Sequence, residues 1–233
     1  MILITTTVFL LAFLGPVISV SVNLAVYYES RCTDSRKFFL NQLSPTLNQL
    51  KSSINLELVP FGNEKVTTSS NSYHYSCQHG PTECWGNRVE ACVLEQYGSV
   101  QTAYEYSKCM FEPENFKDVE AHARPCAQRL NLNWDRITTC VNGPESDRLM
   151  ERFWKQTDGL QPKHTFIPWI TVNGQGSATI EQQSLANLTN FLCSNYLPGT
   201  AECGNTGNSD YYSSRYLPPN FNRYNLNPFN AWG

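Results

Sequence analysis

Nine cysteines constrain this chain of 233 residues more than any other feature. Paired cysteines persist in oxidising compartments and are rare in the cytosol. Cys32 stands apart near the N-terminus, and an odd total leaves one thiol over once the others pair. We therefore expect a secretory-pathway protein with four structural disulfides, whose pairing stays open because eight cysteines allow 105 arrangements. The eight are Cys77, Cys84, Cys92, Cys109, Cys126, Cys140, Cys193 and Cys203.

The N-terminus has the layout of a signal peptide. Residues 2–20 are largely apolar, and Gly15-Pro16 breaks any helix shortly before the small residues Ser19 and Ser21. This predicts a signal peptide over residues 1–20, with cleavage near residues 19–21. An uncleaved anchor is the alternative, although the apolar run is short for a membrane span. We therefore expect secretion, with a lysosomal location as the alternative.

Charge argues against a nucleic acid partner. The 17 basic and 20 acidic residues give a net charge of −3, and only 16% of residues are charged. A protein that binds a phosphate backbone needs a basic surface, which this composition does not provide. No membrane partner and no cofactor or metal is predicted either.

The hydrophobic pattern predicts an α/β fold. Residues 22–28 and 54–59 are rich in β-branched and aliphatic residues, and the segment between them has helical spacing with a kink expected at Pro45. Strand, helix and strand in this order form a βαβ unit. Near the C-terminus, residues 165–172 predict a strand that enters an Asn173-Gly174 turn, followed by a helix over residues 181–196.

The remaining chain divides into an insertion and a tail. Six cysteines lie in a stretch with helix starts expected at Pro81, Pro113 and Pro144, which predicts a disulfide-stapled helical insertion over about residues 66–160. The folded domain is expected to span residues 21–203. Residues 204–233 are rich in Asn, Tyr and Pro without aliphatic periodicity, which predicts a disordered tail.

Cys32 is the candidate nucleophile. It lies at a strand-to-helix junction, where the free N–H groups and dipole of a helix N-terminus lower a thiol pKa. Arg31 and Arg36 are expected to favour the thiolate, and Asp34 to oppose it. In a thioredoxin-like oxidoreductase a second cysteine three positions later resolves the mixed disulfide. Here that position is Ser35, so a two-thiol cycle is not expected.

Ile167-Pro168 is a second candidate element of the site. Thioredoxin-like folds place a cis-proline beside the reactive cysteine, where it exposes backbone for pairing with a substrate peptide. An ordinary proline at a strand start is the alternative. Together with Cys32 on a βαβ unit, Pro168 is interpreted as the cis-proline.

One motif points to a family. The run from Cys77 to Cys92 matches CQHGxxECxxNxxxxC at all eight specified positions. The chain thus resembles the GILT family, the gamma-interferon-inducible lysosomal thiol reductases, and within it the secreted GILT-like proteins of insects such as those of mosquito saliva. The resemblance implies a thioredoxin-like fold with a helical insertion and reduction of protein disulfides by a CxxC pair.

The chain departs from that pattern at Ser35, which leaves two hypotheses for function. In the first, reductase activity is weak or lost and the protein binds other proteins, including those of another cell. In the second, Cys32 acts alone and a small thiol such as glutathione releases the product. Asn187-Leu188-Thr189 is a sequon, so Asn187 is a candidate glycosylation site.

The signature residues themselves also allow two interpretations. Cys77, Cys84 and Cys92 are expected to form structural disulfides, with Gly80 in a turn and Glu83 or Asn87 bracing a helix start. A zinc site formed by these three cysteines with His79 is the alternative. It lacks a close Cys-x-x-Cys pair and would lie in an oxidising compartment, so disulfides are favoured.

Overall fold

A computed structural model describes residues 21–69 and 72–204. The predicted signal peptide and the predicted tail beyond Gly204 lie outside the described residues. The strands are β1 Val22–Tyr27, β2 Ile54–Val59, β3 Lys65–Ser69, β4 Ser72–Ser76, β5 Trp169–Val172 and β6 Gln175–Gly176. The helices are α1 Thr33–Phe38, α2 Ser44–Leu50, α3 Pro81–Tyr97, α4 Val100–Phe111, α5 Val119–Arg129, α6 Trp134–Val141, α7 Pro144–Asp158, α8 Ala178–Asn195 and α9 Ala201–Gly204.

The predicted βαβ unit is confirmed. β1 pairs with β2 in parallel and with β5 antiparallel, so Val26 lies opposite both Leu58 and Ile170 in a sheet of order β2-β1-β5-β6. The Asn173-Gly174 turn also forms, with φ of 51° and 75° at its two residues. β1 is therefore an inner strand, and the loop that leaves its C-terminal end is anchored in the core.

The helix after β1 contains the expected irregularity. A π-helical turn, Phe39–Leu43, separates α1 from α2 and immediately precedes Ser44-Pro45. Proline lacks an N–H donor and its ring clashes with the carbonyl four residues earlier, here that of Asn41. A widened turn accommodates this clash and keeps Phe38 and Phe39 buried against the sheet.

Two expectations for the insertion are wrong. β3 and β4 pair antiparallel, with Val66 opposite Tyr75, because alternating β-branched and aromatic residues favour strands over helix. Helices do begin at Pro81 and Pro144, but Pro113 lies in a turn. The next helix, α5, begins after Asp118, whose carboxylate caps it by accepting the Ala121 N–H.

Buried contacts join the insertion to the sheet. The Tyr28 hydroxyl donates to Glu90 Oε2 at 2.5 Å, and Ser107 Oγ donates to the same oxygen. Around this network the Phe39 ring lies 4.7 Å from that of Tyr28 and 5.0 Å from that of Phe111, measured between centroids. Because of these contacts, α3 and α4 share a core with β1. Fully burying one such side chain stabilises a fold by about 1.5–3 kcal/mol.

Asn187 does not lie within a regular helix as expected. Its φ of −162° and ψ of 87° interrupt α8, and its side chain accepts the Asn190 N–H as a cap for the second half. The side chain is exposed, which suits the predicted glycosylation. Across the described ranges, none of the helices combines the length and the apolar character that a membrane span requires.

Candidate active site

Cys32 ends the loop that follows β1 and is the N-cap residue of α1, as predicted. We call residues 29–32 the reactive loop. The Cys32 Sγ accepts a hydrogen bond from the Ser35 N–H at 3.5 Å, the contact that a serine or aspartate oxygen makes at most helix starts. The thiol also donates to the Ile167 carbonyl at 3.6 Å. It is thus held between α1 and the segment before β5, with 8% of the residue exposed.

Ser35 lies directly behind the thiol. It is fully buried, and its Oγ accepts the Glu29 N–H at 3.4 Å. Its hydroxyl also acts to lower the pKa of the Cys32 thiol. A hydroxyl can stabilise a thiolate, but it cannot form a disulfide with it, and Cys32 carries the free thiol of the described residues. The geometry of a two-cysteine site is present without its second sulfur.

The expectation of a lowered thiol pKa is wrong. Burial raises the pKa of Cys32 above its ordinary value of 9.0, and the charge of Glu29 adds to that rise. Hydrogen bonds from Ser35 and from the Asp34 backbone N–H act in the opposite direction without cancelling it. Desolvation of the thiolate therefore outweighs the favourable helix terminus.

The charged neighbours of Cys32 form hydrogen bonds and ion pairs with groups other than the thiol. Arg31 Nη1 donates to the His79 carbonyl at 2.5 Å and to Thr82 Oγ1 at 2.7 Å. Arg36 Nε donates to the Phe111 carbonyl at 2.7 Å. Asp34 is exposed and paired with Lys37 at 3.0 Å. Arg31 thus joins the reactive loop to the insertion, and Arg36 joins α1 to it.

The Ile167–Pro168 peptide bond is cis, and Pro168 immediately precedes β5. Beside it, Phe166 is 39% exposed and is the exposed large hydrophobic residue of the described chain. A pocket of about 260 Å³ lies against it. Its lining includes Asp34, Lys37, Phe38, Phe166 and Leu185. A surface with an exposed apolar side chain, Phe166, therefore lies next to the Ile167 carbonyl that Cys32 contacts.

The signature motif packs directly on the reactive loop. Asn87 is fully buried, and its Oδ1 accepts the Ser30 N–H at 2.8 Å. Ser30 Oγ in turn donates to the Glu83 carbonyl at 3.2 Å. Gly86 approaches so closely that a Cβ there would lie 2.4 Å from Ser30 Oγ. The signature thus positions the loop that carries Cys32, a role beyond the bracing of its own helix.

All eight remaining cysteines form disulfides. The pairs are Cys77–Cys84, Cys92–Cys140, Cys109–Cys126 and Cys193–Cys203. The zinc alternative is therefore wrong, since each of its three cysteines is covalently bonded. Gly80 has a φ of 92°, which explains why glycine stands before α3.

A buried acidic group lies beside the reactive loop and was missed in the sequence. Glu29 and Glu83 are fully buried and converge on His79, whose Nδ1 lies 2.5 Å from Glu83 Oε2 and 3.5 Å from Glu29 Oε2. Two tetrahedral ligands of one zinc ion lie about 3.4 Å apart, given bonds near 2.1 Å, so the shorter separation is that of a hydrogen bond. We interpret His79 and Glu83 as a hydrogen-bonded pair with Glu29 beside it.

Comparison with known proteins shows which family this chain belongs to. The family described as gamma interferon inducible lysosomal thiol reductase (GILT) matches residues 23–130. A reductase of that name from Carassius auratus is 37% identical over 177 residues, 75% of this chain and 68% of its own length. The chain belongs to the GILT family. A GILT-like protein of Anopheles gambiae is 31% identical, covering 76% of this chain and 78% of that protein.

Solved structures agree with the family in fold. A DsbA from Mycobacterium tuberculosis has a TM-score of 0.52 at 12% identity, over 79% of this chain and 86% of that one. A DsbA from Chlamydia trachomatis also has a TM-score of 0.52, over 82% and 97%. At such identities the likeness concerns the fold, which is thioredoxin-like as expected. This GILT-family chain is therefore a relative of thiol-disulfide oxidoreductases.

Proposed function

We propose that this protein captures other proteins at Cys32 and has little reductase turnover. The observation that carries the proposal is the pairing of a free Cys32 thiol with a buried Ser35 at the resolving position. The Cys32 thiol can form a mixed disulfide, but the site lacks a second thiol that could break it. The raised pKa of Cys32 also makes the nucleophile weak near neutral pH.

The chemical step is ordinary thiol-disulfide exchange. The Cys32 thiolate attacks one sulfur of a partner's disulfide, a new bond forms between the two, and the partner's other sulfur leaves as a thiolate. The Ser35 N–H and hydroxyl stabilise the Cys32 thiolate before attack. Without a second thiol in the site, the mixed disulfide persists until an external thiol attacks it.

The surface beside Cys32 fits an extended peptide. Phe166 and the pocket next to it offer an apolar contact, and the Asp34–Lys37 pair lies at its polar edge. We propose that partners present a disulfide in an extended segment with an apolar residue nearby. The same surface would serve noncovalent binding if no disulfide is attacked.

The test compares wild type with Cys32→Ser and Ser35→Cys at pH 5 and pH 7. We expect wild type to form a covalent complex with insulin that is visible on nonreducing gels and is lost on reduction. Cys32→Ser should form none. Ser35→Cys places a second thiol in the first turn of α1 and should raise insulin reduction about tenfold or more. Strong wild-type turnover that survives Cys32→Ser would reject the proposal.

A one-cysteine reductase is the second candidate. Its support is the free thiol at a helix start, where an external thiol such as glutathione could release the product. Excess glutathione should then convert capture into sustained turnover in wild type. Insulin that stays bound in excess glutathione would eliminate this candidate.

We further propose that the chain follows the secretory route, to the outside of the cell or to the lysosome. Four disulfides and the apolar N-terminal segment support this. Asn187 should then carry a glycan, and a glycosidase should change the gel mobility of wild type but not of Asn187→Gln. N-terminal sequencing of secreted material should begin near residues 19–21.

A further inference from the structure

One disulfide differs from the others in exposure. Among the described residues, the six cysteines of the other three pairs are buried, with no more than 7% of any of them exposed. Cys77 and Cys84 are both partly exposed, and their bond closes residues 77–84, which we call the signature loop. Exposed disulfides are the more easily reduced, because a thiol must reach one of the sulfurs. Cys77–Cys84 is therefore the pair that a dissolved thiol reaches first.

A polar pocket opens beside this disulfide. Its volume is about 410 Å³, and its lining consists of Asn63, Lys65, Ser76, Cys77 and Gln78. A pocket of this size accepts a small molecule. The lining offers amide groups, a hydroxyl group and the Lys65 ammonium group, all of which donate hydrogen bonds. These donors suit a small thiol that carries carboxylate groups, such as glutathione.

The position of Cys84 favours its departure as a thiolate. Cys84 lies in the first turn of α3, where free N–H groups and the helix dipole stabilise a negative charge. A small thiolate that attacks the Cys77 sulfur forms a mixed disulfide and releases the Cys84 thiolate. A second small thiol then attacks the small-molecule sulfur of that mixed disulfide and releases Cys77. In total, two small thiols become one disulfide, and their protons and electrons convert the protein disulfide into two thiols.

Glu64 lies beside the disulfide without opposing this reaction. One of its carboxyl oxygens lies within 4.8 Å of both sulfurs. Burial raises the pKa of Glu64 to about 8, so the carboxyl group holds its proton at pH 7. A neutral group does not repel the departing thiolate.

The signature loop holds the reactive loop in place. The His79 carbonyl and Thr82 Oγ1 both accept hydrogen bonds from Arg31 Nη1, at 2.5 Å and 2.7 Å. The Glu83 carbonyl accepts Ser30 Oγ at 3.2 Å. These three contacts reach the two residues that immediately precede the nucleophile. A change in the signature loop is therefore transmitted directly to the reactive loop.

Opening this disulfide leaves the rest of the fold in place. Its cysteines are 7 positions apart, whereas those of the other pairs are 10, 17 and 48 positions apart. A disulfide that closes a shorter loop removes less entropy from the unfolded chain, so its loss destabilises the fold less. Reduction of Cys77–Cys84 therefore loosens the signature loop while the three buried disulfides still hold the domain together.

We propose that the Cys77–Cys84 disulfide is a second thiol-exchange site, which a small thiol such as glutathione reduces, and that its opening releases the reactive loop and exposes Cys32. The reduction goes beyond the proposed function, whereas its effect on Cys32 rests on that function, because Cys32 is the same nucleophile. With the disulfide closed, 8% of Cys32 is exposed. Capture at Cys32 is then slow, and reduction of Cys77–Cys84 makes it faster.

The first experiment follows reduction at each disulfide. Cys32→Ser is incubated with excess reduced glutathione at pH 7, the new thiols are blocked with iodoacetamide at intervals, and the labelled cysteines are identified by mass spectrometry. We expect Cys77 and Cys84 to be labelled at least about tenfold faster than the six buried cysteines. Labelling of Cys77 and Cys84 together with the buried cysteines, or after them, would overturn the proposal. The variant lacks Cys32, so the result does not depend on capture.

The second experiment measures the rate of Cys32 alkylation by iodoacetamide at pH 7.5. We expect it to be about fivefold faster in Cys77→Ser/Cys84→Ser than in wild type, because the reactive loop opens more often. Cys193→Ser/Cys203→Ser is the matched control. It removes a disulfide with a separation of 10 that ties α8 to α9, and its rate should change by less than about twofold.

Wild type provides a readout that does not depend on a variant folding. After brief reduction with glutathione and its removal, the Cys32 thiol of wild type should react as fast as that of Cys77→Ser/Cys84→Ser. An unchanged rate in both proteins, with the three buried disulfides intact, would overturn the link between the signature loop and Cys32. Iodoacetamide reports on the thiol without a protein partner, so insulin capture succeeds or fails independently of this result.

Discussion

The βαβ unit and the insertion treat their cysteines in opposite ways. The βαβ unit contains Cys32 alone, with its thiol free, whereas the six cysteines of the insertion form three disulfides among themselves. Yet the insertion provides the groups that fix the reactive loop, through Asn87, Gly86 and the carbonyl of His79. The nucleophile and the groups that hold its loop are therefore supplied by separate regions of the chain.

The largest expected effect comes from opening the insertion. The Cys92–Cys140 disulfide closes a loop with a sequence separation of 48 residues. Replacing both cysteines by serine should lower the free energy of unfolding by about 4 kcal/mol, because the unfolded chain regains the entropy of that loop. Urea unfolding measures the change. Cys32→Ser is the control, since it removes no disulfide. A loss of unfolding free energy of similar size in this variant would show that the cysteines of the two regions do not differ in their effect on stability.

Next in size is the pH dependence of stability. Burial raises the pKa of Glu64 to about 8, against the lowering effect of the Asn87 hydrogen bond. A carboxyl group whose pKa is higher in the folded state binds its proton more tightly there. Its stabilising effect is complete below its ordinary value of 4.5 and is lost as pH rises through about 8.

We therefore expect the free energy of unfolding to fall between pH 5 and pH 9, by an amount on the order of a few kcal/mol. Glu64→Gln should flatten that decline. Glu151→Gln serves as a control, because the Glu151 side chain is partly exposed and pairs with Lys155 at 2.6 Å. Stability that increases over this interval would show that the buried carboxyl groups are ionised in the folded protein.

A smaller effect is expected where the two regions touch. Gly86→Ala places a Cβ 2.4 Å from Ser30 Oγ, so the reactive loop or α3 must shift. We expect a loss of about 2 kcal/mol in stability, typical of overpacking, together with a changed Cys32 alkylation rate. Gly204→Ala is the control, since among the described residues no atom beyond its own chain neighbours lies within 4 Å of the added carbon. An unchanged alkylation rate in Gly86→Ala would mean that the insertion supports the fold but not the thiol.

The same division explains how much could be predicted from the sequence. The position of Cys32 at a helix start depends on local pattern, and the four disulfides follow from counting cysteines. The contact between Asn87 and Ser30 joins residues that are 57 positions apart, and no local rule predicts it. The burial of Glu29 likewise depends on packing against α3. The prediction of a lowered thiol pKa was wrong for this reason, because local charges can be read from the sequence and desolvation of the thiol cannot.

Asp34 provides the smallest effect and the sharpest contrast with Glu29. Both are acidic neighbours of Cys32, and the sequence analysis expected Asp34 to oppose the thiolate. In the structure Asp34 is exposed and paired with Lys37 at 3.0 Å, so water and the ammonium group screen its charge. Asp34→Asn should therefore change the alkylation rate of Cys32 by less than about twofold, whereas Glu29→Gln should raise it, because the charge of the buried Glu29 raises the pKa of Cys32. Both rates are measured at pH 7.5 and low ionic strength, where screening by salt is weakest. Equal effects of the two variants would mean that distance along the chain, and not burial, determines which charge controls the thiol.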